Sequence, residues 1–223
     1  MAPVYVQYGC GFSFGEGWLN FDSSPTLRIE RLPVVGKALG LLAGNSQRFP
    51  RQVSCGDIVK GISVPANSVR GVYASHVLEH LALEDFRKAL RNTFEMLEPD
   101  GVFRLIVPDL EERARRYVRQ VSIRVADSSG DFMRTCHLGQ ERRPRTLLSR
   151  MRWLIGGSMH LWMWDEPSIT EELRKVGFIE IRRCRFGDAD DAMFARVEDR
   201  GRFVDPTLDL PELAIEARKP QRA

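Results

Sequence analysis

Apolar residues recur along this chain at two periods. Short runs rich in β-branched and aromatic residues stand at Val4–Tyr8, Trp18–Asp22, Gln52–Cys55, Gly71–Ser75 and Val102–Val107, with the length and composition of strands. Between the last two, Leu83, Phe86, Leu90, Phe94 and Leu97 follow one another at spacings of 3, 4, 4 and 3, which draws a single stripe down a helix. Glu84 and Asp85 put negative charge in its first turn, and Pro99-Asp100-Gly101 stops it. Asp109 with Glu112 marks a second helix start, whose apolar face is Leu110, Ala114, Tyr117, Val118 and Val121. Ser168 to Glu171 reads as a capping box that opens a third helix, closed by Gly177. Phe178–Phe186 and Glu212–Arg218 are strand-like, joined by an acidic, turn-rich segment over 187–211. Residues 25–50 read as loop with one short helix near Val34–Leu42, and 122–157 carries no clear period.

Strands alternating with helices predict an α/β domain with a mostly parallel sheet. The last two strands lack a helix between them, which predicts an antiparallel pair at one edge. A length of 223 residues suits a single domain over 1–223, with 111–157 as an insertion or lid within it. With 43% hydrophobic and 28% charged residues, the chain is excluded from the disordered and fibrous classes. A net charge of +3 is too small to imply a nucleic-acid partner. The charge is unevenly placed: Glu111–Arg152 holds eleven arginines and no lysine against five acids. Most such runs are solvated faces. As a site, arginine without lysine favours planar, bidentate anion recognition, with Arg142, Arg143 and Arg145 as the candidates.

Cys10, Cys55, Cys136 and Cys184 are far apart, with no CxxC pair and no Cys/His spacing of a zinc site. Free thiols in a reducing compartment are the expectation, and no metal is expected. No segment approaches the length of a membrane span, and MAPVYVQYGCG has no charged leader. A cytoplasmic protein is expected.

Three elements could hold a ligand at the carboxyl ends of the strands. Gly9-Cys10-Gly11 follows the first strand, where glycine lets a ligand approach the backbone. Asp22 ends the second strand, where a carboxylate can accept hydrogen bonds from a ribose diol. Gly56-Asp57-Ile58 ends the third, where a carboxylate can accept from an adenine amino group and Ile58 can pack on the ring. The alternative for each acid is a turn or cap. A fourth strand then enters Ser75-His76-Val77-Leu78-Glu79-His80. A nicotinamide dinucleotide is disfavoured, because Phe14 stands where GxGxxG needs its third glycine and Asp22 comes too early.

Taken together, Tyr8-Gly-Cys-Gly11, Gly17-Trp-Leu-Asn-Phe-Asp22, Gly56-Asp57-Ile58, Ser75 to Leu81 and Leu97 to Pro108 resemble the class I S-adenosylmethionine-dependent methyltransferases. More narrowly, they resemble a small bacterial branch whose first loop reads GCG…GWxNxD. His160-Leu-Trp-Met-Trp-Asp165, followed by a helix and Gly177-Phe178, also fits that branch. The resemblance spans most of 4–110 and 158–186. It implies a Rossmann-like α/β fold with a seven-stranded, mostly parallel sheet, helices on both faces, an antiparallel edge strand and a helical insertion after strand 5. It implies S-adenosylmethionine as cofactor, with Gly9, Cys10 and Gly11 beside its methionine part, Asp22 on the ribose, Asp57 and Ile58 on adenine, and Ser75 and His76 beside the sulfonium. The span from Gly11 to Asp22 is too short for a full first helix, a shortening that the branch shares.

The acceptor implied is a small polar or anionic molecule such as a sugar, lipid precursor or other metabolite. If it is a hydroxyl, a histidine is the natural base, first His76, then His160. His80, Trp162 and Trp164 are further candidates for the acceptor pocket, beside the three arginines. His137 reads as a surface residue. The rival function is a non-catalytic binding module that keeps the fold.

Overall fold

The computed structural model describes residues 4–32, 48–141, 143 and 159–221. The helix expected near Val34–Leu42 lies outside them, as do Arg142 and Arg145. The strands are β1 (Val4–Tyr8), β2 (Leu19–Asp22), β3 (Val53–Cys55), β4 (Val69–Ser75), β5 (Leu97–Val107), β6 (Ile179–Arg183), β7 (Val204–Asp205), β8 (Leu210–Pro211) and β9 (Leu213–Arg218). The helices are α1 (Pro25–Glu30), α2 (Leu83–Met96), α3 (Leu110–Ser122), α4 (Ser128–Thr135) and α5 (Glu166–Val176).

Seven strands form one sheet in the order β3-β2-β1-β4-β5-β9-β6. The first five are parallel, whereas β9 runs antiparallel to both β5 and β6. The antiparallel pair expected at one edge is present, and β7 and β8 form a separate small ladder. Order reverses between β1 and β4. At such a reversal the loops leaving two neighbouring strands diverge and open a crevice at their carboxyl ends.

One sheet face is covered by α2 and α5, whose Phe86, Ala89, Leu90, Ile169 and Leu173 join Val6, Val72, Phe103, Leu105 and Ile215 in the main core. The helix predicted from the 3-4 spacing is thus observed, and Tyr8 ties it to β1 through a hydroxyl contact of 3.2 Å to Thr93. Helix α5 begins earlier than the expected box at Ser168–Glu171. Asp165 is its N-cap and Ser168, the third helical residue, closes the box. An ion pair of Arg87 with Glu172, closed by two hydrogen bonds of 2.7 and 2.8 Å, joins α2 to α5.

The opposite face is covered by the segment 187–203, whose helical turns at Ala192–Arg196 and Arg200–Arg202 are of the 3-10 type. Trp18, Tyr5, Phe194 and Phe203 pack there against Tyr73 and Ile106. Arg104, in the middle of β5, is 1% exposed and pairs with Asp188 at 2.8 Å, Glu198 at 2.8 Å and Glu216 at 2.5 Å. The acidic loop expected to be a turn-rich connection is therefore pinned to the sheet by this buried cation, and Arg182 and Arg218 hold Asp188 and Asp190 from β6 and β9 as well.

Helices α3 and α4 form the start of the insertion after β5. The apolar face expected on α3 is only partly covered: Leu110, Ala114 and Tyr117 are half-buried, with Tyr117 against Phe132, but Val118 is 62% and Val121 is 49% exposed. What α3 buries is Arg113. Its guanidinium forms hydrogen bonds of 2.9 and 3.0 Å with Glu212, and its Nε donates to the Thr135 carbonyl at 3.1 Å. Periodicity misplaced this face because it cannot register an ion pair as a reason for burial. Other arginines of the run are also paired internally: Arg115 with Glu111, Arg116 with Asp131, and Arg134 with Asp127 and Glu141.

Candidate functional site

The first loop replaces a helix with hydrogen bonds. Asn20, 2% exposed, accepts from the Gly15 amide at 2.9 Å and donates to the Gly15 and Trp18 carbonyls at 3.2 and 2.8 Å. Ser13 donates to the Cys10 carbonyl at 2.7 Å. Cys10 itself is buried, and burial with the nearby Asp22 raises its thiol to about 12, so it stays protonated. Asp22, at the carboxyl end of β2, accepts from the Gly11 amide at 2.8 Å on one oxygen and from Ser24 at 2.8 Å on the other. Each oxygen keeps a lone pair for a further donor.

Both glycines of the loop have positive φ, +62° at Gly9 and +55° at Gly11, a region that side chains disfavour. Their surroundings differ. A Cβ on Gly9 would fall 2.2 Å from Cγ2 of Val77, so the loop after β1 touches the loop after β4. A Cβ on Gly11 would meet nothing within 4 Å. Open space therefore lies over Gly11 while its neighbour is packed shut, the arrangement needed to seat a ligand on the loop.

At the end of β3, Asp57 accepts from the Val59 amide at 3.0 Å in an Asx turn and lies 3.5 Å from Lys60. Ile58 is 5% exposed within the main core. The Gly56 amide donates to the Asp22 carbonyl at 3.0 Å, which couples this turn to the end of β2.

Beyond β4 the chain makes a 3-10 turn over Leu78–His80. His76 has a φ of +54°, and its two ring nitrogens face acceptors, the Arg202 carbonyl at 3.0 Å and Glu79 at 3.4 Å. Burial works against charging this ring, yet Glu79, the Arg202 carbonyl and Glu212 outweigh it and raise the pKa above the ordinary value. His80 reaches the Met159 carbonyl at 3.1 Å through Nδ1 and stands 3.9 Å from Glu79 through Nε2. The His160 ring lies with its centroid 5.1 Å from that of His80 and 4.8 Å from that of His137. Burial, with His80, His137 and Arg113 adding to it, pushes the His160 pKa down to about 4 despite Glu79. That imidazole is neutral at pH 7.

His76, His80 and His160 therefore meet around one buried carboxylate, and the His137 ring packs on that of His160. His137, read from the sequence as a surface residue, is exposed but belongs to this group. Glu79 and the Arg113–Glu212 pair were not identified from the sequence. Glu79 stood in view between two histidines, whereas nothing local points to Glu212. A cleft of about 410 Å³ opens beside them, lined by His76, Arg113, His137, His160, Arg202 and Glu212 among others.

The two tryptophans divide. Trp164, 2% exposed, stacks against Phe86 at 4.1 Å in the core, while Trp162 is 42% exposed. Of the three candidate arginines, only Arg143 lies among the described residues, and it is exposed. Ser75, at the end of β4, keeps a buried hydroxyl oxygen without a hydrogen-bond partner.

The sheet order, the glycine loop and the acid ending β2 together define a Rossmann-like α/β fold. Residues 7–105 match the family model described as "Methyltransferase domain". That stretch runs from β1 into β5, holds Gly9 to His80, and covers less than half of the chain. No curated protein matches the sequence. Among solved structures, a Haloferax volcanii putative methyltransferase, in complex with a methyltransferase activator, is similar at a TM-score of 0.50 and 15% identity, over 99% of this chain and 83% of that one. Haemonchus contortus phosphoethanolamine N-methyltransferase 2 with bound S-adenosyl-L-methionine is similar at 0.48 and 12%, over 98% of this chain and 49% of that one. Burkholderia thailandensis 1,6-didemethyltoxoflavin-N1-methyltransferase is similar at 0.46 and 16%, over 98% and 72%. At such identities the likeness is one of fold. No helix among the described residues is long and apolar enough to cross a membrane.

Proposed function

We propose that this protein transfers a methyl group from S-adenosylmethionine to a small polar or anionic acceptor bound in the histidine-lined cleft. The observation that carries the reading is the first loop: Asp22 is fixed by two amides with acceptor capacity left over, beneath open space at Gly11. The residues present fit the cofactor. Gly9, Cys10 and Gly11 would pass its methionine part, Asp22 would hold the ribose, Asp57 and Ile58 would flank the adenine, and Ser75 and His76 would lie nearest the sulfonium. When bound, S-adenosylmethionine supplies an electrophilic methyl on a positively charged sulfur.

The chain's own contribution is alignment, since displacement at a methyl carbon gains most from fixing the two reactants in line. His76 holds the Arg202 segment against the end of β4. With a carboxylate and a carbonyl on its two nitrogens, it is suited to keep its proton rather than to remove one. His160 is the neutral imidazole on the cleft wall and offers a hydrogen-bond acceptor to a polar substrate. The exposed side chain of Arg202 supports an anionic substituent on the acceptor. Arg113 of α3 and His137 beyond α4 form one side of this cleft, and we take the insertion over 111–157 to be its cover.

Titration calorimetry with S-adenosylmethionine and S-adenosylhomocysteine tests the cofactor. Micromolar binding of both is expected, and binding of neither would favour the non-catalytic module. Labelled cofactor incubated with a metabolite extract then identifies the acceptor.

A further inference from the structure

We propose that Glu79, His80 and His160 form a binding site for a divalent transition-metal cation, of the zinc class, beside the cleft. The three offer one carboxylate oxygen and two imidazole nitrogens, all within 4.8 Å of one another. Two imidazoles and a carboxylate make a donor set suited to zinc, with room left for a further ligand.

Independent observations point to a missing partner. Glu79 is 1% exposed; its Oε1 makes no hydrogen bond and faces only the rings of His76 at 3.4 Å and His80 at 3.9 Å, and its Oε2 has no hydrogen-bond partner at all. Buried carboxylates are otherwise hydrogen-bonded or paired, because desolvating the charge is costly. Nδ1 of His160, a residue 8% exposed, is likewise without a partner. His80, by contrast, is already oriented. Its Nδ1 lies 3.1 Å from the Met159 carbonyl, which leaves Nε2 turned toward Glu79. A backbone carbonyl on the far ring nitrogen is the usual way to fix the tautomer and aim of a metal-bound histidine.

The ligands must draw together by about an ångström, since bonds of about 2.1 Å in a tetrahedron space the donors about 3.4 Å apart. The local structure permits this. His160 lies outside any helix or strand, and the His80 side chain is 32% exposed. Glu79 cannot retreat, because its own carbonyl accepts from the Leu161 and Trp162 amides at 2.8 and 3.1 Å. That same pair of bonds brings the segment carrying His160 alongside the turn carrying His80. The open face of the site is the cleft, where the cation, rather than the His160 lone pair it occupies, would orient an acceptor oxygen. This use of the cation rests on the methyl-transfer reading, whereas its binding does not.

The experiment is calorimetric titration of the chelator-treated protein with Zn²⁺ alone, followed by Co²⁺ absorption in the visible region, with no cofactor present. One equivalent of tight binding is expected, with a tetrahedral Co²⁺ spectrum. Glu79→Gln and His160→Ala should each weaken it beyond the about 10–100-fold typical of outer-shell changes. Because Glu79→Gln or His160→Ala could unfold the protein, the more exposed His80→Ala is measured beside them, and wild-type melting is followed with and without Zn²⁺. A rise in melting temperature that His80→Ala abolishes supports the site. No binding to the wild type overturns it and leaves Glu79 paired with a protonated His76. Binding that persists unchanged in His80→Ala and His160→Ala also overturns it. Failure of methyl transfer with intact Zn²⁺ binding would count against the function and not against the site.

Discussion

Replacing Gly9 with alanine should open the crevice from its hinge. The new Cβ would sit 2.2, 2.7 and 3.0 Å from Cγ2, Cγ1 and Cβ of Val77. All three distances are at or inside closest approach, so the loops after β1 and β4 must part. The left-handed backbone at Gly9 adds about 1–2 kcal/mol for any residue with a Cβ, and overpacking of this kind costs about 1–3 kcal/mol. A total of about 2–5 kcal/mol corresponds to a fall in melting temperature of roughly 4–20 °C for a chain of this size. Removing the clash from the other side provides the control. Val77→Ala alone should cost about 1 kcal/mol, but Gly9→Ala with Val77→Ala should be more stable than the sum by at least about 1 kcal/mol. Gly11→Asn is the counterpart. Asparagine tolerates positive φ, nothing lies within 4 Å of the new Cβ, and the loss of stability should stay below about 1 kcal/mol. Its side chain nevertheless enters the open space, so affinity for S-adenosylhomocysteine should fall at least tenfold, about 1.4 kcal/mol. Melting by circular dichroism and titration calorimetry read the two effects separately. The reasoning fails if Gly9→Ala melts with the wild type, if Val77→Ala gives no relief, or if folded Gly11→Asn binds as tightly as before.

Arg113→Met should cost about 3–5 kcal/mol, because Glu212 is left buried without its cation. Urea titration should show this loss, and amide exchange across 110–135 should quicken; an unchanged midpoint would show that α3 and α4 are held by other contacts. Glu172 gives a pH signature. The Arg87 hydrogen bonds, chief among its partners, lower its pKa from 4.5 to about 2. A depressed carboxylate contributes stability fully above its ordinary value and loses it as the pH falls through the folded value. The stability difference between wild type and Arg87→Gln should thus be constant near pH 7, shrink below pH 4.5 and disappear only below about pH 2. A difference independent of pH would exclude the ion pair as its source.

The strands of the large sheet and α2 were legible because each carries its own apolar period, and the acid ending β2 and the glycines after β1 stand at the ends of those strands, whereas the two-residue β7 and β8 lie in the segment expected to be a turn-rich connection. Helix α3 was legible as a helix, from Asp109 and Glu112, but not in the face it buries. Its burial follows from Glu212, ninety-nine residues away, and no local pattern reports a partner at that distance. The four histidines show the same limit. Two lie in one motif, but His137 and His160 join them only through the fold, and His160 reaches the turn through backbone bonds to Glu79 that leave no trace in residue type. Asn20 was visible as a letter in GWxNxD, although its work of replacing a helix with three hydrogen bonds was not. Trp164 was misleading for the opposite reason, since an aromatic beside a histidine reads alike whether it lines a pocket or fills a core.

The insertion of β9 between β5 and β6 also shapes how the chain can reach its native state. Among the described residues, β6 joins the sheet only through β9, so that edge cannot assemble until the later strand is available. Until then β5 presents an unpaired edge of Val102, Phe103, Leu105, Ile106 and Val107, a run prone to pair with other chains. Arg104 interrupts that run at its middle. In the finished protein it is an internal anchor for three carboxylates, but in a half-assembled chain it is a lone charge within an otherwise sticky strand, the placement that guards against self-association. The same guanidinium thus acts first as a deterrent to aggregation and then, once Glu216 arrives on β9, as the point on which the last part of the fold closes.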